Sequence, residues 1–265
     1  MTDDLRSLLE FALEVADEAD AISLPAFLDR SRFELKADGS PVTAADRAIE
    51  ELVRRRVGEA FPDDGVRGEE FGDTAPRPGG DGRRWIVDPI DATANFVRGT
   101  ALWATLLAAE HGGELQVAVV SAPALGQRWH AVRGGGAATV QLGRKRPLRV
   151  SRVASLADAQ LVYSGLAPLD REGRGAGVLA AIGQAWRDRG FGDFWGYMLV
   201  ADGAAEAMFE VGVAEWDLAA PALIVEEAGG RFTTLDGGPG HAGPSALATN
   251  GLLHDALLEL LAYRS

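Results

Sequence analysis

Three short segments set acidic side chains beside residues that turn a chain: Gly68-Glu69-Glu70, Asp88-Pro89-Ile90-Asp91-Ala92-Thr93 and Trp216-Asp217. The middle one says most. Trp85-Ile86-Val87 reads as a buried strand. Pro89, which has no N–H for a ladder, is expected to force the chain out of it and deliver Asp88 and Asp91 together at the strand's C-terminal end. Two carboxylates about 4 Å apart repel by roughly 4 kcal/mol at an effective dielectric of about 20, and a divalent cation offsets that directly. The chain has no cysteine, and its four histidines (His111, His130, His241, His254) show no metal-ligand spacing. Oxygen must then supply the donors, which suits magnesium. Bound metal would also reverse the local field, so that an acidic pocket could accept a phosphate. Each acid has a plainer reading as well. Glu69 and Glu70 could be solvated loop acids, Asp217 a helix N-cap, and Asp46 the partner in a capping box.

Composition narrows the possibilities. A net charge of −13 argues against nucleic acid as a partner, because the phosphate backbone needs a basic face. An anionic substrate would be repelled too unless cations intervene. The longest apolar runs, such as Ala101 to Ala109, are broken by His111-Gly112-Gly113-Glu114 well before the roughly 20 residues of a membrane helix, so no membrane association is expected. The acidic start, Met1-Thr2-Asp3-Asp4, does not resemble an export signal, and the lack of cysteine fits a reducing compartment. The expected location is the cytoplasm.

The elements that must position the acids follow from periodicity. Leu5, Leu8, Leu9, Ala12, Val15, Ala16 and Ala19 predict an amphipathic helix over about 4–20. Thr43-Ala44-Ala45-Asp46 is a capping-box-like start for a second helix with Ile49, Leu52, Val53 and Val57 as its buried stripe. From Trp85 the pattern turns to strands, at 85–87, 102–109, 115–120 and 127–132, which reads as a meandering sheet. Strands at about 147–151 and 160–164 then alternate with helices near 172–188 and 196–206. A last helix follows Trp216, with Asp217 at its N-cap and Gly229-Gly230 beyond its end, before a strand at 231–233. Gly237-Gly238-Pro239-Gly240 suggests a mobile surface loop. A subdomain boundary near residue 140 divides an N-terminal part, 1–140, from a C-terminal part, 141–265.

The segments Gly68-Glu69-Glu70, Trp85 through Phe96, and Trp216-Asp217 with its alanine-rich helix ending in Glu227-Ala228-Gly229-Gly230 resemble the three signatures of the inositol monophosphatase family, in the family's order and spacing. The resemblance implies a layered α/β fold, an αβαβα sandwich with mixed sheets, and a homodimer. It implies a phosphate monoester as substrate and two to three Mg2+ per site. Glu69, Asp88 and the Ile90 carbonyl would hold one ion, and Asp88, Asp91 and Asp217 a second. Thr93 and the amides of Ala92 and Thr93 would face the phosphate. Asp46, Thr93 and Glu69 would orient and activate the attacking water. This chain departs from the family at Ala92, where glycine is usual, and at Ala94, where lysine or arginine is common. The extra methyl at 92 is expected to crowd the phosphate or restrict the backbone.

Three further stretches, Arg189 to Tyr197, Ser121 to Gly126 and Ser245 to Asn250, are similar to the histidinol-phosphatase branch of that family. The resemblance makes Asp193, Glu210, Arg187 and the metal-site residues Asp91 and Asp217 candidates for contacting substrate. An acid beside aromatics, as Asp193 is beside Trp195, could hold an ammonium or imidazole. An inositol-1-monophosphatase or a related sugar-phosphate phosphatase is the alternative. A catalytically impaired metabolite-binding relative would be expected to lack part of the acid set, whereas Glu69, Asp88, Asp91 and Asp217 are all present.

Overall fold

The computed structural model describes residues 3–30, 32–80 and 82–262; Met1 and Thr2 of the acidic start lie outside them. The chain divides into two units, 1–135 with 139–146, and 136–138 with 147–265. In the first, α1 (Asp3–Leu28) leads into the hairpin β1 (Phe33–Leu35) and β2 (Pro41–Thr43), then α2 (Ala44–Ala60) and the antiparallel pair β3 (Gly65–Gly68) and β4 (Gly72–Thr74). β5 (Arg84–Asp91), the short α3 (Thr93–Arg98), β6 (Ala104–His111), β7 (Glu114–Ala122), β8 (Gln127–Val132), β9 (Gly136–Gln141) and β10 (Arg144–Pro147) follow. The eight strands from β3 onward form one sheet in the order β10-β9-β8-β7-β6-β5-β3-β4, so the meander is present. β5 runs parallel to β3 and antiparallel to β6, which makes the sheet mixed.

α1 and α2 lie against this sheet, closing a core of Leu8, Val15, Ile49, Val53, Trp85, Val87 and Leu107. α1 runs eight residues past the expected end, through Pro25. Its last turn is held by Phe27, whose ring lies 5.6 Å from Phe96 and 5.4 Å from Trp103. The start of β5 is pinned similarly. Asp64 accepts from the Trp85 indole at 2.9 Å and from Arg83 Nε at 2.6 Å, while Phe11 meets the Trp85 ring edge-on.

The second unit contains β11 (Gln160–Tyr163), α4 (Leu166–Arg171), α5 (Gly175–Gln184), β12 (Arg187–Arg189), α6 (Asp193–Ala201), β13 (Ala207–Val211), α7 (Glu215–Glu227), β14 (Arg231–Thr233), β15 (Ser245–Thr249) and α8 (His254–Leu261). Its five-stranded sheet, ordered β12-β11-β13-β15-β14, is parallel on one side and antiparallel on the other. One face, carrying Leu161, Phe209 and Leu247, packs with Leu169, Val178, Leu257 and Leu261 of α4, α5 and α8. The residue between, Met208, points the other way onto α6, where a Cβ on Gly196 would come within 2.4 Å of its sulfur. Helices therefore cover both faces, and the class is layered α/β with mixed sheets. Among the described residues no helix is long and apolar enough to cross a membrane.

Several expectations need correction. Pro89 does not end its strand: β5 continues to Asp91, and the missing N–H is absorbed by a register shift between Asp88 and Asp91, where Thr105 Oγ1 donates to the Pro89 carbonyl at 2.8 Å. Residues 148–151 form no ladder, because Leu148 and Val150 donate to unrelated carbonyls, those of Ala137 and Ala228. The helix expected over 172–188 is interrupted at Gly173 (φ +73°) and stops at Gln184, after which 187–189 pair in parallel with β11. The helix expected over 196–206 starts earlier, at Asp193, and stops at Ala201. Asp217 is not an N-cap: Ala214 is, and Asp217 stands three residues inside. The Gly237–Gly240 stretch, expected as a surface loop, is closed by hydrogen bonds from the Thr234 N–H to Gly238 O, the Gly237 N–H to Thr234 O and the Gly238 N–H to Thr234 Oγ1, each at 3.0 Å; this adds a turn to that expectation and does not bear on its mobility.

Two consequences are testable. Ala92 sits at φ +63°, ψ +46°, a left-handed conformation that costs a residue with a Cβ about 1–2 kcal/mol, partly balanced by the looser unfolded chain of a glycine variant. Ala92→Gly should raise stability by about 0.5–1 kcal/mol, read from the urea midpoint. The second concerns His254, fully buried with Nε2 2.9 Å from Thr233 Oγ1 and Nδ1 2.9 Å from Thr249 Oγ1. Burial pulls its pKa down to about 4, helped by the charge of Arg231. The unfolded chain takes up this proton near pH 6.5 and the folded chain only near 4, so stability must fall as pH drops across that window. His130, also lowered to about 4 by burial, adds to the fall. His254→Gln should flatten the pH slope of the urea midpoint between pH 6.5 and 4; an unchanged slope would contradict the assignment.

Candidate active site

In the first unit Asp88 and Asp91 stand together at the bulge in β5. Every residue from Trp85 to Asp91 is buried, and Asp88 and Asp91 are only 2% and 5% exposed. A carboxylate oxygen of each lies within 4.8 Å of the other. The chain then turns through the left-handed Ala92 into α3. There Thr93 Oγ1 donates to the Ile90 carbonyl at 2.9 Å, and Asp46 Oδ1 lies 3.5 Å from the same hydroxyl.

Asp46 is fixed by the start of α2. Its Oδ2 accepts from the Thr43 N–H at 2.8 Å and the Thr43 hydroxyl at 2.5 Å, and Thr43 Oγ1 accepts in turn from the Ala45 N–H at 3.1 Å. The expected capping box is therefore present. Burial raises the Asp46 pKa, and the charge of Glu69 adds to that against the Thr43 donors.

Glu69 and Glu70 lie in the turn joining β3 to β4. Lys36 Nζ donates to Glu69 Oε1 at 2.7 Å and to Glu70 Oε1 at 2.5 Å. Although burial opposes it, this double contact holds the lysine above its ordinary pKa. The turn's amides are held by Glu50, a buried acid of α2. Neither Lys36 nor Glu50 was expected from the sequence. A signal for Glu50 does exist: Asp46, Glu50 and Arg54 recur every four residues, so a charged row shares a face of α2 beside its buried stripe.

In the second unit, Gly192 presses so closely on Ser164 that a Cβ would stand 2.5 Å from the Ser164 Cα. Asp193 follows at φ +56° as the first residue of α6, half-buried, with burial raising its pKa. Tyr197, one turn further on, donates its hydroxyl to Glu210 Oε1 at 2.5 Å. Glu210 is deeply buried, and its pKa is pushed up to about 8 by that burial, with the charges of Asp193 and Asp217 acting in the same direction. Tyr197 belongs to this cluster through its hydroxyl as well as through its buried ring. Asp217 Oδ2 accepts from the Ala214 N–H at 2.7 Å. Arg187 lies exposed on the edge strand β12 beside the Trp186 ring.

The donors suit a hard divalent cation. Asp88, Asp91 and the Ile90 carbonyl offer only oxygen, and two buried like charges this close are stabilised by a counter-charge. Softer sites need sulfur or paired imidazoles, which this neighbourhood lacks.

Comparison with known proteins agrees over nearly the whole length. The chain matches the inositol monophosphatase family over residues 4–263. It is 47% identical to the histidinol-phosphatase of Streptomyces coelicolor over 269 residues, covering 99% of this chain and 98% of the other. It is 49% identical to the histidinol-phosphatase of Mycobacterium tuberculosis over 256 residues, covering 96% and 97%. Among solved structures, the extragenic suppressor protein suhB from Bartonella henselae aligns with a TM-score of 0.87 at 25% identity, over 97% of this chain and 98% of that one. A match of this extent, spanning every acidic segment described above, makes the chain a member of the inositol monophosphatase family.

Proposed function

We propose that the chain is a divalent-metal-dependent phosphomonoesterase that hydrolyses L-histidinol phosphate to L-histidinol and inorganic phosphate. The observation carrying the substrate is the 47–49% identity to two histidinol-phosphatases across almost the entire chain. The oxygen-only acids at the β5 bulge support the metal, and family membership supports the hydrolase chemistry. In this reading the N-terminal part, 1–140, supplies most of the ligands, and 141–265 supplies Asp217 and the residues that select the alcohol. Glu69, Asp88, the Ile90 carbonyl, Asp91 and Asp217 hold two to three Mg2+. A cytoplasmic homodimer is the expected setting.

The ions, when bound, would neutralise the phosphate and the charge that develops as the ester bond breaks. The chain's own residues do the positioning. The Thr93 hydroxyl, between the Ile90 carbonyl and Asp46, can rotate to accept from or donate to a water. Asp46 is kept from turning by its two bonds to Thr43, which keeps its Oδ1 facing that hydroxyl. With Glu69 they orient the water that adds to phosphorus; the P–O ester bond breaks, and the alcohol oxygen leaves with a proton. The amides of Ala92 and Thr93, at the start of α3, face the phosphate oxygens. Asp193, Glu210 and Trp195 are proposed to receive the ammonium and imidazole of histidinol. Arg187, exposed on the edge strand β12, is a further proposed contact for substrate.

Phosphate release from histidinol phosphate should stop with a chelator and return with Mg2+. Asp88→Asn should lower it by at least about 100-fold, because a ligand matters no less than the outer groups that orient it. No metal-dependent release from any small monoester would sink the reading. A kcat/KM for inositol 1-phosphate above that for histidinol phosphate would remove the substrate alone. Asp193→Asn, a change the left-handed backbone tolerates, should raise KM for histidinol phosphate about tenfold, the effect of about 1.4 kcal/mol, and leave an aryl phosphate within about twofold. Equal effects on both substrates would make Asp193 structural.

A further inference from the structure

Outside the residues that the reaction needs, one charged group is fully enclosed and fully engaged. Glu50 is 0% exposed. Its Oε2 accepts from the Glu70 N–H at 2.7 Å, and its Oε1 accepts from the Phe71 N–H at 3.1 Å. Arg54, one helical turn on, donates to the same Oε1 from Nε at 2.9 Å and from Nη2 at 2.7 Å. The guanidinium reaches further, to Gly72 O at 2.5 Å and Thr74 Oγ1 at 3.0 Å, and so grips the first residue of β4 and its last. Gly68 is the space this carboxylate occupies, because a Cβ there would stand 2.1 Å from Glu50 Oε1.

We propose that Glu50 is a positioning residue for metal binding: held by Arg54, it fixes the Gly68–Gly72 turn so that Glu69 presents its carboxylate in one place. The inference rests on the reading of Glu69 as a metal ligand. A tight hairpin does not itself call for a buried anion, since short turns rich in glycine close without one. Enclosing a carboxylate carries a desolvation cost, offset here by charge-assisted bonds from two backbone amides and a guanidinium. Those bonds restrain the two residues next to Glu69 along the chain. On the side-chain end, Lys36 restrains Glu69 Oε1. The turn is thus held from behind by a carboxylate and in front by an ammonium, and only the front contact must yield when a cation arrives.

The test uses Glu50→Gln, which keeps the volume but replaces one acceptor oxygen with a donor that faces another donor. Magnesium binding to the folded protein is measured by calorimetry, beside the Mg2+ concentration for half-maximal phosphate release and amide exchange at residues 70 and 71. The dissociation constant for Mg2+ should rise about tenfold, as for other groups that orient a ligand, with faster exchange at both amides and kcat at saturating Mg2+ within about threefold. Affinity within about twofold of the parent, even with a lower Tm, overturns the inference. Glu69→Gln is the control. If it leaves Mg2+ affinity unchanged, the reading of Glu69 falls and this inference with it; if it weakens binding and Glu50→Gln does not, only this inference falls. Should Glu50→Gln not fold, Arg54→Lys, which leaves Glu50 in place but removes the fork, is read the same way, with about threefold weakening expected and no change contradicting the proposal.

Discussion

Like charge enclosed inside a sheet is the constraint around which the first unit is arranged. Asp88 and Asp91 stand on a strand flanked by β3 and β6, with every neighbour along it from Trp85 onward buried. In an ordinary strand, residues three apart point to opposite faces. The register shift at Pro89 breaks that alternation, and so two acids come to lie within reach of one another. The proline that seemed to end the strand serves it in another way, by refusing one ladder bond where the bulge needs none. Such an arrangement is stable in proportion to the positive charge supplied to it, which ties the local packing to the chemistry.

Four other acids of the unit have fixed partners. Glu50 is matched by Arg54, Glu69 and Glu70 share Lys36, and Asp46 is hydrogen-bonded by Thr43. The second unit follows a different course. Glu210 and Asp193 have their pKa values raised by burial, and the partner shown for Glu210 is the neutral phenol of Tyr197. The first arrangement sets cations or hydrogen-bond donors against its carboxylates, whereas in the second burial raises the pKa of Asp193 and Glu210. In the proposed function, the cationic groups of the substrate would supply a partner to these acids, and the proposal of alcohol selection there rests on that difference.

How much of this was legible depends on the range of the interaction. The capping box at Thr43 and Asp46, the stripe of α2 and strand β8 at 127–132 were readable, because each is set by residues within one or two turns. Asp88 and Asp91 were readable as a pair although the reason given, a strand ending at Pro89, was mistaken; a proline on a strand has two outcomes, and only the neighbouring strand decides between them. The helix expected across 172–188 failed for a similar cause: Arg187 to Arg189 find hydrogen bonds on the edge of β11, a partner some 25 residues away in sequence that local pattern cannot supply. Glu50 went unnoticed because a glutamate on a helix beside an arginine four residues on is ordinary at a surface. That the pair is buried under a turn 20 residues ahead is a tertiary fact.

The two oxygens of Asp46 have separate duties. Oδ2 closes the first turn of α2 through Thr43, and Oδ1 faces the hydroxyl of Thr93. One side chain thereby joins the melting of a helix to the aim of a hydroxyl two elements away. Anything that frays the beginning of α2, whether heat, denaturant or a change at Thr43, must also loosen Thr93, and hydrolysis would fade before the rest of the unit unfolds. Thermal inactivation is then expected to begin at a helix cap, ahead of global unfolding.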